Sequence, residues 1–407
     1  MSTVRRVLEG LDEITGWQEE LYVHLHANPE LSMQETETAA EVTKRLDELG
    51  YETQQIGGGV VGVLANGDGP TVLFRADMDA LPVKELTDLP YASTKTATDA
   101  DGNQVPVMHA CGHDMHVVAG LGAASLLAEQ RDAWSGTYVA LFQPGEETAA
   151  GARSMVDDGL TTKIPKPDVA LGQHVLTVPA AGEVGTTAGP ILSTGASVRV
   201  KVYGKGSHGS MPHLGVDPVV LSSAIVTRLQ TIVARELSPS EFGVVTVGSL
   251  QSGTKANIIP ADATMLVNVR AYDTAVREKI IAAIERIVVA ECDAARAPQP
   301  PEIEIYDDYP LTDNDPDVTS RVTTAFVEHF GAERVKRLDP IPASEDFSII
   351  ADAFGVPYSF WGFGGFTPDQ EVYANHNPRF APAIQPPLRT GTEAAVTAVL
   401  AYLGKES

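Results

Sequence analysis

The sequence predicts an α/β fold: a domain with a mostly parallel central sheet, interrupted by an inserted α+β domain. Three observations lead there. The chain has 407 residues, beyond the roughly 250–300 at which a single core usually stops growing. Short apolar runs alternate with helix-period segments in its first part and again near its end. Between them the pattern changes to a β-α-β-β-α order closed by the Pro-rich Ala297-Pro-Gln-Pro-Pro. The expected division is 1–185 with 303–407 as one discontinuous domain and 186–302 as the insertion.

In chain order, Val4, Leu8, Leu11, Ile14 and Leu21 recur at helical spacing and predict a long amphipathic helix ending near Asn28-Pro29. A second helix begins near Glu35 and stops at Gly50. Val60-Val-Gly-Val-Leu and Thr71-Val-Leu-Phe read as strands, and the second runs into Asp77 and Asp79. Val117, Leu121, Ala124 and Leu127 predict a helix starting near Asp114. The strand Gly136-Thr-Tyr-Val-Ala-Leu-Phe-Gln leads into Glu146-Glu147, and Pro167-Asp-Val-Ala-Leu-Gly leads into Gln173-His174. Three strands thus deliver acidic or imidazole groups at their carboxyl ends, the edge of an open α/β sheet where sites form. The insertion reads as a strand from Ser197, a helix from about Pro218 to Arg235, strands Phe242 to Leu250 and Ala263 to Arg270, and a helix from Thr274 to about Ala295. That order fits helices on one face of an antiparallel sheet.

Lys and Arg number 29 against 54 Asp and Glu, a net charge of −25. Such a surface repels nucleic acid and anionic membranes, so neither is an expected partner. No window approaches the roughly 18 consecutive apolar residues of a membrane span. The charged N-terminal stretch lacks a signal peptide's apolar core, and a cytoplasmic location is expected. Two cysteines, Cys111 and Cys292, argue against a disulfide framework.

The chemistry concentrates in Met108-His-Ala-Cys-Gly-His-Asp-Met-His116. Gly112 lets Cys111 and His113 be presented side by side. With Glu147, His174 and His376 they form a donor set too large for one closed four-coordinate zinc, and it suits two borderline ions such as zinc, manganese, cobalt or nickel. Two such ions would polarise a carbonyl and activate water. In the Glu146-Glu147 pair the side chains diverge, so Glu147 is assigned to metal and Glu146 to proton transfer. Asp77, Asp79 and Asp114 are expected behind the ligands, orienting them, with Asp114 alternatively a helix cap. His109 and His116 are expected only as support.

The segments FRADMDALPV (74–83), MHACGHDMH (108–116), LFQPGEE (141–147), GQHV (172–175), GKGSHGSMPHLGVDP (204–218), NIIPADA (257–263), SEDFS (344–348) and NHNPRF (375–380) occur in an order that resembles the M20 family of metallopeptidases. The similarity is to its amidohydrolase branch of hippurate hydrolases, N-acyl-amino-acid aminoacylases and auxin-conjugate hydrolases. The resemblance implies a catalytic α/β domain interrupted by a lid that also makes a homodimer, with two divalent ions per subunit held by Cys111, His113, Glu147, His174 and His376. Cys111 would bridge the ions, Glu146 would be the general base, and His208 would stabilise the oxyanion. Asn257 and Arg270 would hold the substrate carboxylate, a task suited to a guanidinium fork. Three positions depart from the usual pattern: Gly145 for Ala, Val267-Asn-Val-Arg270 for Gly-Thr-x-Arg, and Asp77 where sister branches carry a liganding His.

The implied activity is hydrolysis of the amide bond in an N-acyl amino acid or small conjugate. A dipeptidase or carboxypeptidase of the same family would use identical ligands, and a non-catalytic metal-dependent binding protein is a third reading. Degenerate members usually lose the base or a ligand, and none is missing here. Nucleobase deaminases also set Cys, His and Glu around zinc, but they need a Pro-Cys-x-x-Cys pair that this chain lacks. A bridging Cys111 thiolate predicts inactivation by thiol reagents and oxidants. Full activity in a metal-loaded Cys111→Ala variant would refute that role.

Overall fold

The computed structural model describes residues 3–405. The chain divides into two compact units, Met1–Ile191 with Asp313–Pro340 and Asp346–Ser407, and Leu192–Thr312 with Ile341–Glu345.

The larger unit is built on an eight-stranded sheet in the order 52–56, 59–66, 136–143, 71–77, 169–181, 358–364, 184–186, 335–337. Its four middle strands are parallel, and Glu52–Ile56 and Gly59–Asn66 add an antiparallel hairpin at one edge. Thr71–Asp77 and Gly136–Gln143 are almost wholly buried. They carry the near-continuous apolar runs of strands covered on both faces. Strand 71–77 lies between 136–143 and 169–181, so the chain steps to one side of it and then crosses to the other. That reversal opens a crevice at the strands' carboxyl ends.

The predicted first helix is a rod of Thr3–Val7 and Leu11–Ala27 joined by a 3₁₀ turn at Leu8–Gly10. The helix predicted near Asp114 is His113–Glu129, buried on every side as far as Leu127 rather than along one stripe. Strand 169–181 extends beyond the expected end, so His174 lies inside it. The reason is its partner: Tyr358–Gly364 pairs alongside, with Gly362 opposite His174.

The smaller unit is a four-stranded antiparallel sheet, ordered 243–251, 262–271, 194–203, 302–309, with helices Pro218–Thr231 and Thr274–Ala295. Strand Asp262–Ala271 alternates buried and less buried positions, as one-sided cover by helices requires. Asp217 and Asp273 cap the two helices by accepting backbone N–H bonds. Strand Glu302–Tyr309 pairs with Thr194–Tyr203. The units therefore part after Ile191 and Thr312, where the sequence placed the edges at 185/186 and 302/303. Among the described residues no helix is long and apolar enough to cross a membrane.

Arg75, in the middle of the buried strand 71–77, is wholly inaccessible. Its guanidinium donates to Asp77 Oδ2 at 2.6 Å, Gln143 Oε1 at 2.9 Å and Asp346 Oδ1 at 3.3 Å. Replacing it by Met should cost about 3–5 kcal/mol of stability by leaving carboxylates buried without their countercharge. Urea unfolding of the metal-free protein measures this, and a loss below about 1 kcal/mol would be inconsistent with such a pairing.

Candidate metal centre

The centre gathers at the crevice beside strand 71–77. The loop after that strand supplies Asp79, the start of helix 113–129 supplies His113, and the turn after strand 136–143 supplies Glu146 and Glu147. Gly112 makes the loop-to-helix junction possible. Its φ is +84°, and a Cβ there would lie 2.4 Å from Val175 Cγ1, so only glycine fits between Cys111 and His113. Gly112, not Asp114, occupies the cap position, so the cap reading of Asp114 does not hold.

His113 Nδ1 faces Asp79 Oδ1 at 3.1 Å. The other Asp79 oxygen accepts the Ser32 hydroxyl at 2.6 Å and the Glu147 N–H at 3.0 Å. The carboxylate thereby orients His113 and Glu147 together. His113 Nε2 is buried and makes no hydrogen bond among the described residues. It lies 3.7 Å from Asp77 Oδ2 and 3.9 Å from Glu147 Oε1. An unsatisfied buried nitrogen costs about 1–3 kcal/mol, and a metal ion at its lone pair removes that penalty.

The other predicted ligands converge on the same place. His174 donates Nδ1–H to the Val175 carbonyl at 2.7 Å, which turns Nε2 towards Cys111 Sγ at 3.4 Å. His376 Nε2 is 3.2 Å from Glu147 Oε1. Its backbone, at φ +68°, is tied to Ala110 by a 2.7 Å hydrogen bond. Cys111, Glu147 and His376 bring one donor atom each within 4.8 Å of one another, as do His113, Glu146 and Glu147. The thiol, imidazole and carboxylate donors fit one or two borderline divalent ions.

A second grouping, Asp77, His113, His116 and His174, is equally close, but two of its members are committed elsewhere. Asp77 offers one oxygen to Arg75 and the other to His116 Nδ1 at 2.5 Å. His116 Nε2 accepts the Val175 N–H at 2.8 Å, leaving that ring no free nitrogen. Burial opposes ionisation of Asp77, yet His113, Arg75 and His116 hold its carboxyl well below the usual range. Burial and the neighbouring His116 hold the pKa of His174 well below the usual imidazole value, which favours the neutral ring that metal binding would require. Without metal, His376 is pushed up to about 10 by hydrogen bonds to Cys111 and Glu147.

Asp114 receives His26 Nδ1 at 2.7 Å, and His26 Nε2 meets Glu85 Oε1 at 3.1 Å. Sequence reasoning passed over His26, Ser32, Glu35 and Arg75. For Arg75 a signal existed, since a guanidinium inside a strand buried on both faces requires a partner. For the others only the folded chain brings the partners together.

His208, Asn257 and Arg270 lie in the smaller unit. His208 is exposed on a two-residue strand paired with Ile258–Ile259, and its Nδ1 is 2.7 Å from Ser210 Oγ. Asn257 is adjacent, its carbonyl accepting the Gly209 N–H at 2.8 Å. Arg270 is on the separate four-stranded sheet, half-buried and bonded to Asn268 Oδ1 at 3.0 Å and to Ser344.

A family model described as peptidase family M20/M25/M40 matches residues 73–401. The chain is 35% identical over 390 residues to thermostable carboxypeptidase 2 of Saccharolobus solfataricus, covering 93% of this chain and 94% of that protein. It is 35% identical to hippurate hydrolase of Campylobacter jejuni, with 86% and 88% covered. The crystal structure of a dinuclear metal-binding M20 peptidase from Bacillus subtilis superposes with a TM-score of 0.77 at 26% identity, over 96% of this chain and 99% of that one.

His26 also generates a pH prediction. Burial alone would lower its pKa, but hydrogen bonds to Asp114 and Glu85, with their charges, raise it from 6.5 to about 9. A raised folded-state pKa contributes stability that is complete below the unfolded value and lost as pH rises through the folded one. Unfolding free energy should therefore fall between about pH 6.5 and about pH 9 in the wild type, and His26→Gln should flatten that slope. Urea titrations across this range measure it; identical slopes would contradict the charged pairing.

Proposed function

Since the chain belongs to peptidase family M20/M25/M40, we propose that it hydrolyses the amide bond of N-acyl amino acids or small amino-acid conjugates. The observation that carries the reading is the buried Nε2 of His113, which has no hydrogen-bond partner among the described residues and groups with Glu147 and with His174, while Cys111 and His376 group with the same Glu147. In this reading those five side chains hold two divalent ions, zinc, manganese, cobalt or nickel. Bound there, such ions would polarise the scissile carbonyl and make water more acidic.

The chain's own groups then divide the work. Asp79 fixes the His113 ring and the Glu147 backbone, and the Val175 carbonyl fixes His174. Glu146, buried beside Glu147 in the turn Glu146–Thr148, accepts the proton of the attacking water as its oxygen bonds to the acyl carbon. The carbonyl π pair moves onto oxygen, and His208 is assigned to hydrogen-bond that oxyanion. As the C–N bond breaks, its electron pair passes to nitrogen and Glu146 returns the proton to the leaving amine. Asn257 and Arg270 are assigned to the substrate carboxylate, the role their motifs carry in the family.

We take the protein to be a cytoplasmic homodimer paired through the smaller unit. Support for the pairing comes from the exposed Val219, Val220, Leu250 and Ile258 of that unit. A carboxypeptidase reading is favoured by the 35% identity to thermostable carboxypeptidase 2. Metal analysis followed by a panel of N-acetyl, N-benzoyl and indole-acetyl amino acids against free dipeptides and blocked peptides separates the two. Glu146→Ala should lower kcat by about 10²–10⁴ with metal content near wild type. Loss of bound metal in that variant would overturn the division of labour between the two glutamates.

A further inference from the structure

The match to the family model begins at residue 73, so the decapeptide His26–Glu35 lies outside it. Yet this stretch reaches the metal centre at three separate points. His26 bonds Asp114, the residue after His113, at 2.7 Å. The Ser32 hydroxyl donates to Asp79 Oδ2 at 2.6 Å, on the carboxylate that orients both His113 and Glu147. Glu35 Oε1 accepts the Gly145 N–H at 2.7 Å, one residue before Glu146. Backbone contacts add to these, since Leu31 pairs with Ala80 and the Glu30 carbonyl accepts the Ala80 N–H at 2.8 Å.

The stretch is itself held at both ends. Helix Leu11–Ala27 leads into it. At the other end the Glu30 carboxylate accepts the N–H groups of Glu37 at 3.0 Å and Thr38 at 2.8 Å, at the start of helix Thr36–Glu48. A carboxylate satisfying those free donors and facing the helix dipole anchors the loop. Glu35 Oε1 also accepts the Met33 N–H at 2.9 Å. Met33 has φ +64°, and its Sδ lies 2.5 Å from where a Cβ on Gly145 would be. The left-handed Gly145 turn is therefore shaped against this stretch.

We propose that His26, Ser32 and Glu35 are positioning residues of the metal centre, forming one strap that holds the 77–80 loop, the start of helix 113–129 and the 145–147 turn in mutual register. The inference rests on the reading of that centre as metal-binding and hydrolytic. None of the three needs to touch metal or substrate. Each fixes a group that in turn aims a ligand or the base, the kind of support whose loss costs about 10–100-fold in metal affinity or activity. For Glu35 the acceptor oxygen matters more than the charge. Burial and the nearby Asp79 push its carboxyl up to about 7, against the pull of the bonds from Gly145 and Met33.

The test uses Ser32→Ala, Ser32→Thr, Glu35→Ala and Glu35→Gln in the full chain. The readouts are the zinc Kd of the apoprotein by chelator competition, kcat and KM at saturating metal, and the unfolding midpoint of the metal-free form. Ser32→Ala should raise the zinc Kd by about 10–100-fold, and Glu35→Ala should lower kcat by a similar factor with little change in KM. Ser32→Thr and Glu35→Gln, which keep the hydroxyl and the acceptor oxygen, should restore most of each loss. Ser32→Ala removes one bond from a half-buried side chain, so it carries the test even if Glu35→Ala fails to fold. Wild-type zinc Kd and kcat in the alanine variants would overturn the strap while leaving the proposed function standing. A wild-type protein that binds no divalent metal would overturn the reading of the centre, and the strap with it.

Discussion

The Asp79 carboxylate, buried in the loop just after strand 71–77, makes the interactions on which the centre's geometry depends. One oxygen faces His113 Nδ1 and the other accepts from Ser32 Oγ and the Glu147 backbone. A hydrogen bond to one imidazole nitrogen decides the tautomer, and so decides that the other nitrogen presents a lone pair. Because the same carboxylate also holds the Glu147 backbone, two proposed ligands from distant parts of the chain share one reference point.

That arrangement buries several carboxylates around the crevice, and the fold answers with a small number of buried cations. Arg75 spans Asp77 and Asp346 from inside the sheet, and His26 spans Asp114 and Glu85 beside the helix start. Burial makes each unpaired charge expensive, so these bridges are needed for the acidic groups to remain ionised. The position of the crevice follows from topology. Strand 71–77 is the point where successive parallel connections reverse direction, and the loops on either side of it must diverge.

Much of the fold was legible because apolar periodicity survives into the folded state. The helix Thr274–Ala295 and the strand Gly136–Gln143 stand where the sequence placed them. The misplacements have physical causes. Strand 169–181 runs past His174 because pairing with Tyr358–Gly364 continues there, and pairing partners across so long a separation leave no mark in local pattern. Strand 302–309 joins the smaller unit for the same reason: an edge strand is recruited by its neighbour's free hydrogen-bonding groups.

The sequence by itself determined the two-part architecture, the acidic groups that close strand 71–77 and follow strand 136–143, and the residue types that are candidate donors for a metal. These depend on residue type and local order, which the chain displays directly. Tertiary structure alone decided that His116 is spent on Asp77 and Val175 while His113 Nε2 has no hydrogen-bond partner among the described residues. It also decided that His26, Ser32 and Glu35 reach the site at all. Which atom of a side chain remains available depends on the partners that folding brings to it, and those partners lie far away along the chain.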